Sequence, residues 1–220
     1  MKKSAFLLHG QETPLESLGR ERLQELKDEC MQRLAGMVSE GRKFSVIYAD
    51  PPWTYDARSK SLEGCVPYPT MPLAELKELL IKQLAHLDCA LFMWSTSALL
   101  PQAIDLYRHW KFEYKTVFRV WRKVSLNGGK PINGVGHWNR SCYEFLLVGT
   151  RGSGFLKHRK KNESQEITWA STGHSAKPPH ARTAIENLNI PGPRLELFAR
   201  GPTPPGWTAW GLEVQGFLSE

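Results

Sequence analysis

Cysteine is scarce and scattered in this chain. Cys30, Cys65, Cys89 and Cys142 are the four present in 220 residues, with no C-x-x-C pair and no accompanying histidine spacing. That excludes a disulfide scaffold and supplies no zinc-ligand set, so reduced thiols and no metal are expected. No apolar run approaches the roughly 20 residues of a membrane-crossing helix. The opening MKKSAFLLHGQETP has an apolar patch too short for a signal-peptide core, which predicts a cytoplasmic protein, or a nuclear one in a eukaryote. Internal repeats, low-complexity segments and the glycine-rich G-x-G-x-x-G fingerprint are missing. So is any pattern for a zinc finger, an RRM or a helix-turn-helix, which leaves nucleic-acid sequence choice, if there is any, to loops or to a partner.

The length suits one domain with a real core and a short extension. A net charge of +7 and a pI near 9.3 suit a polyanionic partner such as nucleic acid, although many basic proteins bind none. Over residues 15–39, Leu23, Leu26, Cys30, Leu34 and Met37 fall three or four apart, which predicts an amphipathic helix closed by Gly41. Residues 1–40 are read as an N-terminal helical extension and 41–220 as the main domain. Beyond the extension, apolar runs at 44–49, 89–95, 114–121, 142–150 and 194–200 alternate with helical patterns at 73–85, 98–110 and 181–188. Such alternation points to βαβ units and a mostly parallel central sheet. Long connections at 54–72, 122–141 and 151–178 exceed what linking alone requires and are candidate binding loops.

The most informative stretch is FSVIYADPPWTYD, residues 44–56. Ligands of open α/β sheets bind beyond the carboxyl ends of strands, so Asp50 is expected on the rim of such a crevice. Pro51 and Pro52 fix two φ angles and remove two N–H donors, leaving a stiff set of acceptors beside the carboxylate. That set suits an NH₂ group on a nucleobase, with Trp53 or Tyr55 to stack on the flat ring. The bland alternative is that Asp-Pro-Pro ends a strand and Trp53 fills the core. Four successive residues, D-P-P-W, at a strand end are a more specific signal than a lone dipeptide.

Further motifs accompany it: PYPTM (67–71), LFMWST (91–96), VGHWNRSCYEFLLVGTRG (135–152), HSAKP (174–178), RLELFAR (194–200) and GWTAWGLEVQG (206–216). Together with ADPPW (49–53) they resemble, in order, the MT-A70 family of S-adenosylmethionine-dependent adenine N6-methyltransferases. The resemblance implies an α/β Rossmann-like methyltransferase fold with permuted motif order, the catalytic strand preceding the cofactor-binding elements and the N-terminal helix in front. It implies S-adenosylmethionine as methyl donor and nucleic acid as substrate, DNA in preference to RNA, with a homodimer or partner subunit as a possible assembly. An RNA adenosine methylase and a non-catalytic nucleic-acid-binding subunit are the rivals. Inactive partners in the family alter D-P-P-W, whereas this chain keeps all four residues.

By the same resemblance, Asp50, Pro51, Pro52 and Trp53 are the catalytic residues, and Asp50 also meets the cofactor. Lys177 is implied for the cofactor's methionine carboxylate, Arg200 for its ribose and Glu213 for two ribose hydroxyls. Tyr68, Trp138 and Glu144 match positions around the substrate pocket. Leu212 stands where relatives often carry Asn, and GPTPPGW lacks the ribose-contacting His of the eukaryotic enzyme, so the ribose contacts depart from the family pattern. In the basic run at 151–166, Lys157, Arg159, Lys160 and Lys161 are candidate phosphate contacts, the alternative being a solvated face. Arg119, Arg122 and Lys123 would extend that surface.

Overall fold

The computed structural model describes residues 19–54, 69–127, 129–134, 138–153, 158, 162–171 and 176–214. Helix α1 (Arg20–Ser39) buries Leu26, Cys30, Leu34 and Met37, the stripe that its three-to-four spacing dictates. Gly41 then takes a left-handed φ of 70°, which lets the chain reverse into β1 (Phe44–Ala49). Residues of β1 alternate between two apolar layers, as the period of two requires. Ile47 and Ala49 join one layer, while Val46 and Tyr48 join the other.

After β1 come α2 (Leu73–Glu78), α3 (Ile81–Leu84), β2 (Ala85–Ser95), a 3-10 turn at Ser97–Leu99, and α4 (Leu100–His109). They are followed by β3 (Glu113–Val124), β4 (Tyr143–Arg151), β5 (Glu166–Ala170), α5 (Pro179–Glu186), β6 (Arg194–Leu197), β7 (Arg200–Gly201), β8 (Trp207–Trp210) and β9 (Glu213–Val214). The main sheet has seven strands in the order β5-β3-β4-β2-β1-β6-β8, and β7 pairs with β9 apart from it. Only β4 runs against its neighbours; the other pairings are parallel. Helices α1, α2, α3 and α4 pack on one face, burying Cys30, Leu76, Ile81 and Leu106 against Ile47, Leu91 and Leu195. Helix α5 packs Ala181 and Ile185 on the other face, against Val46, Phe92 and Trp94. The result is the expected Rossmann-like α/β sheet with helices on both faces. From β1 the chain steps to β2 on one side, whereas β6 and β8 extend on the other, so the strand order reverses between β1 and β6. Crevices form at such a reversal.

Several elements differ from the sequence expectation. The helix expected at 73–85 breaks, with Leu79 at φ −63° and ψ 138°. The Leu76 carbonyl there accepts the Trp110 indole N–H at 3.1 Å, a tertiary bond at the group that a continuing helix would use. The run RLELFAR stops being a strand at Phe198, whose φ of 60° turns the chain while its ring packs edge-on against Trp210. Strand β5 lies inside the expected loop 151–178 and exists by pairing along β3. Strand β8 is four residues long, too short to show alternation. Strand β2 begins at Ala85, ahead of the apolar run, with His86, Leu87 and Asp88 exposed.

Candidate active site

Asp50 follows the last residue of β1 and stands at the reversal point of the sheet. The backbone beyond it is tied down by its own polar groups. The Trp53 N–H donates to the Pro51 carbonyl at 2.8 Å, and the Met71 N–H donates to the Pro52 carbonyl at 2.7 Å. The half-buried Trp53 indole packs against the α1-side core and donates its N–H to the Trp94 carbonyl at the end of β2, at 3.1 Å. Trp53 therefore anchors the Pro-Pro turn to the sheet. The Pro51 carbonyl keeps a second lone pair beside the Asp50 carboxylate.

Lys177, in the segment that leads into α5, reaches Asp50 from the other face of the sheet. Its Nζ lies 2.6 Å from Asp50 Oδ2 and 3.5 Å from Glu144 Oε2, with side chains of Lys177 and Glu144 only 10% and 11% exposed. Lys123 pairs with the other Glu144 oxygen. The Lys177 ammonium also sits 5.8 Å from the centre of the Trp94 ring, and the Trp94 indole N–H is held by the Tyr48 hydroxyl at 2.7 Å. Two carboxylates and two ammoniums thus form one compact cluster. Burial pushes the Asp50 carboxyl above its usual range; Lys177 pulls it down and Glu144 pushes it further up. Burial acts upward on Glu144 too, but Lys177 and Lys123 outweigh it and hold that carboxyl low. For Lys177, burial favours the neutral amine, yet Asp50 and Glu144 overcome it and keep the ammonium charged.

On the α1 side, Asp50 opens into a cleft of about 420 Å³ whose lining includes Pro52, Phe198, Arg200, Leu212 and Glu213. That size suits a small-molecule ligand. Arg200 Nε lies 3.3 Å from Glu213 Oε1 across the β7–β9 pair. Gly211 lets two backbones approach, since a Cβ there would lie 2.5 Å from the Ala199 carbonyl oxygen. Phe198 holds a left-handed backbone against the cleft, and such outliers cluster at functional sites. Helix α1 contributes Gln24, Lys27, Asp28 and Met31 to the opposite wall.

The structure thus gathers Asp50, Glu144 and Lys177 in one cluster and places Arg200 and Glu213 in the adjoining cleft; Lys177, expected at the cofactor's carboxylate, pairs instead with the protein's own carboxylates and is not among the residues that line that cleft. Trp138, expected at the substrate pocket, is fully exposed, at 100%. Tyr55, Tyr68, Lys157, Arg159, Lys160 and Lys161 lie outside the described residues. Arg119 pairs with Glu163 and is buried, and Lys123 belongs to the central cluster, so both have internal partners where phosphate contacts were expected. Sequence reasoning missed Lys123 in the cluster, the α1 wall and Phe198. The exposed apolar Met31 was the one hint of the α1 wall, and the left-handed turn at Phe198 leaves no trace in sequence.

The MT-A70 family model matches residues 44–213. Type II methyltransferase M.MunI from Mycoplasma sp is 32% identical over 191 residues, covering 79% of this chain and 78% of that protein. Mouse N(6)-adenine-specific methyltransferase METTL4 is 28% identical over 200 residues, covering 86% of this chain and 40% of that protein. The human N(6)-adenosine-methyltransferase catalytic subunit METTL3 is 30% identical over 178 residues, covering 79% of this chain and 29% of that protein. The chain therefore spans most of the first and well under half of the other two. With D-P-P-W seated at the sheet's reversal point and the match running through the cleft to Glu213, the chain belongs to the MT-A70 family of adenine N6-methyltransferases.

Proposed function

We propose that this protein transfers the methyl group of S-adenosylmethionine to the N6 amine of adenine in DNA. The observation that carries the reading is the Asp50 carboxylate, pinned by Lys177 on one side and open to a nucleoside-sized cleft on the other. The cleft suits this cofactor, because Asp28, Asp50, Glu75, Glu78 and Glu213 outnumber Lys27 and Arg200 in its lining, a net acidic wall for a ligand with sulfonium and ammonium charges, while Phe198 and Leu212 add apolar surface. When bound, S-adenosylmethionine supplies an electrophilic methyl on its sulfonium and leaves as the neutral thioether.

The adenine N6 lone pair is delocalised into the ring and is a weak nucleophile. Accepting its two hydrogens at Asp50 and at the Pro51 carbonyl favours a more pyramidal, more reactive nitrogen. Lys177 occupies one Asp50 oxygen and leaves the other for the amine. Trp53 holds the turn that carries both acceptors. Holding the amine in one orientation at these two acceptors would be worth up to about 7–11 kcal/mol of barrier. Once methylated, the nitrogen is cationic, and Asp50, with a carboxyl raised by burial, is placed to accept the proton it sheds.

DNA is proposed as the polymer on the extent of the likeness to M.MunI, matched over 78% of its length. The likeness to METTL3 supports a second reading, RNA adenosine. Incubation with labelled cofactor and DNA or RNA oligonucleotides, followed by digestion to nucleosides, decides between them. Labelled N6-methyldeoxyadenosine supports the proposal, N6-methyladenosine from RNA alone replaces it with the second reading, and binding without any methylated nucleoside overturns both.

A further inference from the structure

We infer that α1, which precedes the segment covered by the family model, completes the cofactor cleft and that Asp28 recognises the 6-amino group of the cofactor's adenine. The inference rests on the proposed use of this cleft by S-adenosylmethionine.

Parallel neighbours β6 and β8 are joined only by residues 198–206, which contain no helix. A parallel crossover usually brings its own helix to cover the sheet. Here α1 does so: the Trp210 indole N–H donates to the Cys30 carbonyl at 2.7 Å, and Cys30, Leu34 and Met37 join the core beneath. The chain reverses after α1 directly into β1, so the N-terminal half of the helix stands at the carboxyl rim. Gln24, Lys27, Asp28 and Met31, spaced to share one helical face, line the cleft there.

Their chemistry suits a purine with an amino group. Met31 is 37% exposed, and with Phe198 and Leu212 it gives the cleft apolar surface for a flat ring. One Asp28 oxygen accepts the Gln24 amide N–H at 2.9 Å, which leaves the second Asp28 oxygen and the Gln24 carbonyl as acceptors. A 6-amino purine donates hydrogens to such a pair, whereas a 6-oxo purine would set acceptor against acceptor. Lys177 and Glu144 approach Asp50 from the α5 side, so this side of Asp50 is assigned to the methyl donor.

Calorimetric titration of the full chain with S-adenosylhomocysteine and its 6-oxo analogue, S-inosylhomocysteine, tests this. The wild type should bind the amino compound more tightly. Asp28→Ala should weaken it about three- to tenfold, the range of one hydrogen bond, and abolish the preference. Asp28→Asn, whose amide can donate, should shift preference toward the 6-oxo compound. The melting temperature should not move, since Asp28 is exposed, and neither should cofactor-free affinity for an adenine-containing DNA duplex. An unchanged preference in Asp28→Ala overturns the inference and leaves α1 as a structural cover. A loss of DNA affinity alone overturns it in favour of the target strand. A folded wild type that binds neither compound overturns the proposed function together with this inference.

Discussion

The Lys177 ammonium lies 2.6 Å from a carboxylate oxygen of Asp50, although 127 positions separate them in the chain. Each residue explains the other: a buried lysine keeps its charge only beside carboxylates, and a carboxylate at a strand end is oriented by a fixed cation. Asp50 is therefore part of the protein's electrostatic framework as well as the reactive edge proposed for it. Replacing it should affect both. Asp50→Ala is expected to lower methyl transfer by at least about a hundredfold. It should also cost about 1–3 kcal/mol of stability by stranding part of the Lys177 charge, with Glu144 remaining as partner. Single-turnover rates and chemical denaturation measure the two effects, and near-normal turnover would sink the mechanism.

The cluster also sets a pH signature. The proposed mechanism needs the Asp50 carboxylate, so the rate should rise through an apparent pKa above the usual carboxylate range, because burial raises it. Lys177 pulls that value down and Glu144 pushes it up. Lys177→Met should then move the acid limb to higher pH, and Glu144→Gln should move it to lower pH. The limb belongs to the coupled group rather than to one residue, so the opposite directions of the two shifts are the informative result in a pH–rate profile.

Gly211 marks where the cleft floor is tightest. A methyl group there would lie 2.5 Å from the Ala199 oxygen and 2.6 Å from its nitrogen, both backbone atoms that cannot swing aside. Gly211→Ala should destabilise the fold by about 1–3 kcal/mol and weaken cofactor binding by displacing Ala199 and Arg200. Thermal melts and calorimetry would show both, and a variant unchanged in each would mean that the floor is not held as described.

Thiol chemistry gives an independent check on the core. Burial pushes the Cys30 and Cys89 thiols up to about 12, so neither should react with an alkylating reagent at pH 8 in the folded protein. Cys142 is half-buried and should be modified. Peptide mapping by mass spectrometry with and without denaturant reads this directly, and modification of native Cys30 would show that α1 is not seated on Trp210.

The basic run makes a prediction in salt. If Lys157, Arg159, Lys160 and Lys161 contact phosphates, changing all four to Gln should flatten the slope of log affinity against log salt on duplex DNA by about 0.9 per lost contact. Cofactor affinity should stay constant. A slope equal to that of the wild type, measured by fluorescence anisotropy, would make the run a solvated connector.

Local pattern was enough to read several strands, the buried face of α1 and the position of the D-P-P-W corner from sequence. The short apolar run FSVIYA placed β1 at 44–49, where it is found, and the spacing of Leu26, Cys30, Leu34 and Met37 identified the buried face of α1. Run length in one and helical period in the other are local signals that act over a few residues. The D-P-P-W run showed where an acceptor set would stand, because proline stiffness is a property of the residue itself. Tertiary structure alone decided what surrounds that corner. The pairing of Lys177 with Asp50 and Glu144, the Trp110 bond to the Leu76 carbonyl beside the helix break at Leu79, and the seating of α1 on Trp210 all join residues far apart in sequence. Each depends on which strands become neighbours. A lysine, a tryptophan or an aspartate carries no local sign of a partner that only the closed sheet brings within reach.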